Sequence, residues 1–206
     1  QGIMSLKNLL IAIILGVALA AGIFLSVRMA GEASVPETAT VLPSPVTLPA
    51  FSLVDHTGAA ADESVFNGQW NLVFFGFTHC PDVCPLTLQT LAAANRQLAD
   101  MGYDELPRIV LVSVDPERDT PGQLATYLKN FGDHNLGLTG DVAEIRKLTE
   151  ALGIYFDKVD TDADYYVVDH SAVVIVIGPD GRYRALFSSP HKPEQFVHDL
   201  PLLMKL

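Results

Sequence analysis

Gly76-Phe77-Thr78-His79-Cys80-Pro81-Asp82-Val83-Cys84-Pro85 holds both cysteines of the chain, four residues apart. The apolar run Leu72-Val73-Phe74-Phe75 leads in and has the composition of a strand. Beyond it, Leu86, Leu88, Leu91 and Leu98 recur among helix formers such as Ala92, Ala93 and Gln97, as a helix requires. The pair therefore belongs where a strand from Leu72 to Phe77 gives way to the first turn of a helix. If that turn includes Cys84, the i, i+4 spacing brings the two sulfurs to neighbouring points on one face. Free N–H groups and the positive end of the helix dipole there favour thiolate over thiol. Two converging thiolates either close a disulfide or hold a soft metal ion. Isolated cysteines are often plain apolar filler. Two prolines and a strand-to-helix junction around the only two cysteines argue against that use here.

The chain has 206 residues, of which 49% are hydrophobic, enough for one domain with a full core. A net charge of −11 excludes nucleic acid as a partner, because that would need a basic face. Two cysteines do not by themselves fix the compartment, so the N-terminus must. From Leu9 to Val27 the chain is apolar and uncharged, with Lys7 before it and Arg28 after it. As a helix this run would span roughly 28 Å, close to the thickness of a bilayer's hydrocarbon core. Residues 1–30 are expected to be a membrane anchor; the competing reading is a cleaved signal sequence with Ala18-Leu19-Ala20 as its cleavage site. Either way the domain lies outside the cytoplasm, most simply on the periplasmic face of a bacterial inner membrane. Residues 31–47 carry no apolar period and read as a linker, which leaves residues 48–206 as the domain.

Within the domain, Phe51 to Val54 precedes a turn at Asp55-His56-Thr57-Gly58. Arg108 to Val114 reads as a buried strand. Thr120-Pro121 reads as the N-cap and first residue of a helix running to about Phe131. Leu136 to Leu138 is a short strand. Asp141 caps a helix with Val142, Ile145, Leu148 and Leu152 on one face, and Gly153 ends it. Tyr155-Phe156 continues as a strand, and Thr161 to Asp164 reads as a surface loop. Ala172 to Ile177 and Tyr183 to Phe187 flank Gly178-Pro179-Asp180-Gly181 as a hairpin, and Pro193 to Leu203 is a closing helix. Strands alternating with helices indicate an α/β layered domain.

The stretch from Gly76 to Pro85 resembles the signature of the Sco/SenC family of copper proteins. Three further segments match in order: Val114-Asp115-Pro116-Glu117-Arg118-Asp119-Thr120-Pro121, Gly137-Leu138-Thr139-Gly140, and Val168-Asp169-His170-Ser171 followed by a strand and Gly178 to Gly181. The resemblance runs from about Leu48 to the C-terminus. It implies a thioredoxin-like fold, a central mixed sheet flanked by helices, here preceded by an N-terminal transmembrane helix. It also implies copper bound through Cys80, Cys84 and His170, and a part in assembling the dinuclear copper centre of cytochrome c oxidase.

The residues bear on those implications separately. His170 precedes one strongly marked strand as the cysteines follow another, and loops at the ends of neighbouring strands converge. Two thiolates and an imidazole suit Cu(I) and also hold Cu(II); structural zinc normally takes four protein ligands, and only three are found. His79 is expected to point away from Cys80, on the alternation of a strand. Asp169 is either an acceptor behind His170 or solvent-facing. Tyr165 and Tyr166 either shield the site or pack at an edge. His56, His134, His191 and His198 are expected to be exposed and unpaired. Asp115 to Pro121 reads first as turn and cap, with partner docking as a further use. The preferred function is a metallochaperone rather than an enzyme. The alternative is a membrane-anchored thiol–disulfide oxidoreductase with Cys80 and Cys84 as its redox-active pair, reducing the cysteines of a copper-site partner. Against it stands the CxxxC spacing, wider than CxxC, in which both cysteines are expected to share exposure.

Overall fold

A computed structural model of the chain describes residues 6–29, 35–162 and 165–205. It divides into two compact units, Gln1–Val35 and Pro36–Leu206. The described part of the first is a helix, α1 (Leu6–Met29), of 24 residues. Its side chains are described at Lys7, Asn8 and residues 10–23, where Leu10, Ile14, Leu15 and Leu19 are exposed. Among the described residues no helix is long and apolar enough to cross a membrane.

The second unit runs β1 (Ala39–Thr47), β2 (Leu53–Asp55), β3 (Ala60–Ala61), β4 (Asn71–Gly76), α2 (Val83–Asp100), β5 (Arg108–Ser113), α3 (Pro121–Leu128), β6 (Leu136–Thr139), α4 (Val142–Leu152), β7 (Phe156–Asp162), β8 (Tyr165–His170), β9 (Val174–Ile177), β10 (Arg182–Phe187) and α5 (Pro193–Leu203). Eight of the strands form one mixed sheet in the order β1-β10-β9-β4-β5-β6-β2-β3. β4, β5 and β6 are parallel, and β9 joins β4 from the other side in antiparallel register, Phe74 opposite Val174. All six residues of β4 are buried. A continuous apolar run, rather than an alternating one, suits a strand covered on both faces. α2 packs against α5, and α3 packs against β6. Thr120 caps α3 through a capping box with Gln123, and Pro121 opens it. Asp141 caps α4, and Gly153 ends it at φ +68° in the left-handed region that glycine occupies at least cost. α3 gives way at Lys129 to a short 3₁₀ turn through Phe131.

Two expectations change. Residues 39–47, read as part of a linker, form the edge strand β1, antiparallel to β10; residues 31–34 of that linker lie outside the described residues. The register shifts between Val41 and Val46, the interval that contains Pro43 and Pro45. Prolines, which donate nothing to a ladder, are tolerated at such an edge irregularity. The strand's start is tied down by the buried Asp199 of α5, which accepts the N–H groups of Glu37 (2.9 Å), Thr38 (2.8 Å) and Ala39 (2.7 Å) and the Thr38 hydroxyl (2.7 Å). Burial alone would raise this carboxyl. The hydrogen bonds from His198, Thr38 and the two backbone groups overcome it and hold the carboxyl well below the ordinary range.

The second change concerns Thr161 to Asp164. Thr161 and Asp162 extend β7, and Ala163 and Asp164 lie outside the described residues. Among the described residues β7 pairs only with β8, in a two-stranded sheet separate from the main one.

Candidate metal centre

The site begins where β4 ends. A side-chain carbon on Gly76 would lie 2.7 Å from a ring carbon of Phe74 and 2.9 Å from Cys84 Sγ, closer than real contacts. Only glycine lets the first turn of α2 settle this close to the strand. Residues 77–80 then turn, with the Cys80 N–H donating to the Phe77 carbonyl (3.3 Å), and α2 begins at Val83. Cys84 therefore lies in the first helical turn and Cys80 in the turn before it. Asp82, at the N-cap, makes no side-chain capping bond. The Cys84 N–H points instead at Cys80 Sγ, 3.4 Å away, so the sulfur takes the place of a capping oxygen.

His170 is the last residue of β8. Because β9 runs antiparallel beside β4, the chain entering β9 passes the end of β4 where the cysteines lie. His170 Nε2 is 3.5 Å from Cys84 Sγ, and Nδ1 is 3.3 Å from the Ser171 carbonyl. With an ion held there, a proton on Nδ1, donated to that carbonyl, would leave the Nε2 lone pair for the ion. The ring stands edge-on to Phe74 and Phe77, with centroids 5.6 and 5.9 Å away. The two sulfurs and the imidazole nitrogen all lie within 4.8 Å of one another. Metal–sulfur and metal–nitrogen bonds of about 2.3 and 2.0 Å put S and N roughly 3.5–3.7 Å apart across one ion. The Cys84–His170 separation fits that span, and the donor set is soft.

The two cysteines do not share exposure, contrary to expectation: Cys84 is fully buried and Cys80 is half-buried. Their chemistry diverges accordingly. The hydrogen bond from Cys84 outweighs the opposing effect of burial and, with His170, holds the Cys80 thiol well below its ordinary value. The same bond, and then burial, pushes Cys84 far up. The two directions make Cys80 the sulfur that ionises first.

Behind the site lies the loop between β5 and α3. Buried Asp119 accepts the N–H of Thr78 (2.9 Å), the Thr78 hydroxyl and the Ser113 hydroxyl (2.7 Å), fixing the turn that carries Cys80. Buried Asp115 accepts from Arg118 Nε and from the Tyr166 hydroxyl (2.6 Å). The sequence marked this loop as turn and cap, with partner docking as a further use; nothing in it signalled that both carboxylates are buried.

His79 turns away from the cysteines, with Nδ1 3.1 Å from the Thr78 hydroxyl and 3.7 Å from Asp119, but on a turn and not on an alternating strand. His79, Asp115 and Asp119 also bring ligand atoms within 4.8 Å of one another. Their carboxylates already serve the loop. Asp169 is exposed. Tyr166 stacks under Arg118, 3.8 Å from the guanidinium to the ring centre; the Tyr165 side chain lies outside the described residues. Three of the four other histidines have partners: His56 accepts from the Gly137 N–H (3.2 Å), His191 meets the Ala172 carbonyl (3.1 Å), and His198 meets Asp199 (2.6 Å). His134 is exposed, as expected.

A mixed sheet with a cysteine pair at the junction of a central strand and helix, faced by a histidine, defines a thioredoxin-like protein with a soft-metal donor set. The SCO1/SenC family model matches residues 41–205, and the chain belongs to that family. The match starts inside β1, ahead of Leu48. Protein SCO2 homolog, mitochondrial, of Bos taurus is 39% identical over 149 residues, 71% of this chain and 56% of that protein. A putative copper-binding protein of Stutzerimonas stutzeri is 36% identical over 165 residues, 80% of each chain. The crystal structure of Arabidopsis thaliana ScoI with copper bound superposes with a TM-score of 0.73 at 31% identity, covering 78% of this chain and all of that one. This chain thus spans little more than half the length of the bovine relative.

Proposed function

We propose that the chain is a copper carrier in which Cys80, Cys84 and His170 hold the ion as cargo and pass it to the dinuclear copper centre of cytochrome c oxidase. The observation that carries this reading is the convergence of two sulfurs and an imidazole nitrogen within 4.8 Å. The copper-bound relative of the same fold supports copper as the ion. Three protein donors leave a position for an incoming ligand, so transfer proceeds by ligand exchange rather than by opening a closed four-ligand site. The apolar, uncharged run Leu9–Val27 of the sequence supports a membrane anchor that places the domain outside the cytoplasm. A periplasmic face is the natural setting for an exported thiol pair.

One observation favours a second use of the same residues. A half-buried Cys80 thiolate over a buried Cys84 thiol is the division of labour of a disulfide reductase. Cys80 would attack a partner disulfide to form a mixed disulfide, releasing one partner thiolate that takes up a proton. Cys84, giving up its proton, would then displace the second, leaving a Cys80–Cys84 disulfide and a reduced partner.

The deciding experiment is anaerobic Cu(I) titration of the reduced full chain in detergent against a competing chelator, beside Cys80→Ala, Cys84→Ala and His170→Ala. The expected result is one copper per chain, lost with either cysteine and weakened without the histidine. Binding indifferent to His170→Ala would remove the third donor and shift the assignment to disulfide reduction.

A further inference from the structure

The cysteines stand on the main sheet and its helix, whereas His170 stands on a hairpin that, among the described residues, joins no strand but its own partner. Side chains hold that hairpin to the domain. Its own Phe156 and Val168 are buried, and the Arg146 guanidinium of α4 lies 4.6 Å from the centre of the Phe156 ring. At its other end lies Arg118, from the loop after β5. Its Nε donates to Asp115, and its Nη1 donates to the Tyr166 carbonyl on β8 at 3.3 Å. The guanidinium lies over the Tyr166 ring, and 5.7 Å from the centre of Phe77. The Tyr166 hydroxyl completes the ring of contacts by donating to the second oxygen of Asp115. Phe77 in turn stands edge-on against His170. Tyr166 and His170 are four residues apart on one strand and so share a face. Arg118 thus touches both the strand that carries the imidazole and the ring that backs it.

We propose that Arg118 is the positioning residue that seats the β7–β8 hairpin and thereby holds His170 against Cys84, an inference that rests on the three-donor metal site. The simpler role for Arg118 is to neutralise the buried Asp115. A lysine would serve for that. A lysine does not supply a flat, forked cation that stacks on Tyr166, reaches Asp115 and binds a β8 carbonyl together. Arg118→Lys therefore separates the two roles.

The test uses the full chain in detergent. Amide hydrogen exchange is measured without metal, and Cu(I) affinity is measured for the wild type, Arg118→Lys, His170→Ala and the double variant. The expected result is faster exchange at residues 166–170 in Arg118→Lys, with β4 protected as before. Copper affinity should fall roughly 10–100-fold, the usual effect of losing a partner that orients a ligand. The double variant should bind no more weakly than His170→Ala, because Arg118 acts through the imidazole. Unchanged exchange across 166–170, or losses of affinity that multiply in the double variant, would overturn the proposal. If Arg118→Lys also loses β4 protection, Tyr166→Phe takes its place, removing only the bond to Asp115. Faster exchange confined to the hairpin then supports the seat, and unchanged exchange overturns it. Should His170→Ala leave copper affinity intact, the metal site itself fails, and the exchange measurement still decides whether Arg118 seats the hairpin.

Discussion

β4 and the β7–β8 hairpin each deliver part of one site, but by different physical means. β4 is paired on both sides, buried along its whole length, and followed by a helix packed so closely that Gly76 has no room for a side chain. The sulfurs inherit that rigidity. The hairpin carries charged residues along β7, shares no ladder with the sheet among the described residues, and is held by the guanidinium groups of Arg118 and Arg146, two buried apolar side chains and surface ion pairs. Local stability follows contact density and backbone pairing, so the imidazole side of the site is the part poised to open first. On the copper-carrier reading proposed above, that division would let the dithiol keep its geometry while the third donor is withdrawn.

The largest effect is expected from breaking the rigid half. Gly76→Ala forces a methyl group between the fully buried Phe74 ring and Cys84 Sγ. Overpacking of this kind costs about 1–3 kcal/mol, and neither neighbour can swing aside, so the upper end applies. Denaturant unfolding should show the loss, and Cu(I) binding should fail with it. Unchanged stability with intact binding would mean that α2 can shift, and the contrast between the two halves would collapse.

A smaller effect is expected one layer behind. Asp119→Asn replaces an all-acceptor group that serves three donors with one that has an amide to place among them. Leaving one buried donor unpaired costs about 1–2 kcal/mol. The loosened Thr78 turn should change the alkylation rate of Cys80 while Cys84 stays protected. Equal changes at both cysteines would show that the loop supports α2 as a whole rather than the turn before it.

Much of the β4 half was legible in the sequence, and little of the hairpin half was. The unbroken apolar run of β4, the Thr120-Pro121 and Asp141 caps, Gly153 and the turn before β10 each carry a local signal for the element that forms. β1 does not, because Pro43 and Pro45 read as linker until an edge position with a register shift makes them tolerable. β7 does not either: Asp157, Lys158 and Asp160 have no apolar alternation, and only pairing across to β8 makes them a strand. Cys80, Cys84 and His170 were identified from the segments that resemble the family. Arg118, Asp115 and Asp119 were read as turn residues, because burial of a charge depends on partners distant in sequence and leaves no local pattern.

The mildest probe touches only the outside of the hairpin. Lys158 of β7 lies 3.0 Å from Glu117 in the loop after β5, with both side chains largely exposed. The hydrogen bond and charge of Lys158 hold the Glu117 carboxyl below its reference value of 4.5. A carboxyl lowered on folding stabilises the folded form above its unfolded value and loses that contribution as pH falls through the lower, folded value. Amide protection along β7 and β8 should therefore weaken below about pH 4.5 in the wild type, and weaken less when salt already screens the pair. Glu117→Gln should show slightly faster hairpin exchange at neutral pH and lose this acid-dependent component. β4 should not respond in either protein. If β4 exchange follows the same acid profile as the hairpin, the two regions open together, and the imidazole cannot be withdrawn while the sulfurs hold.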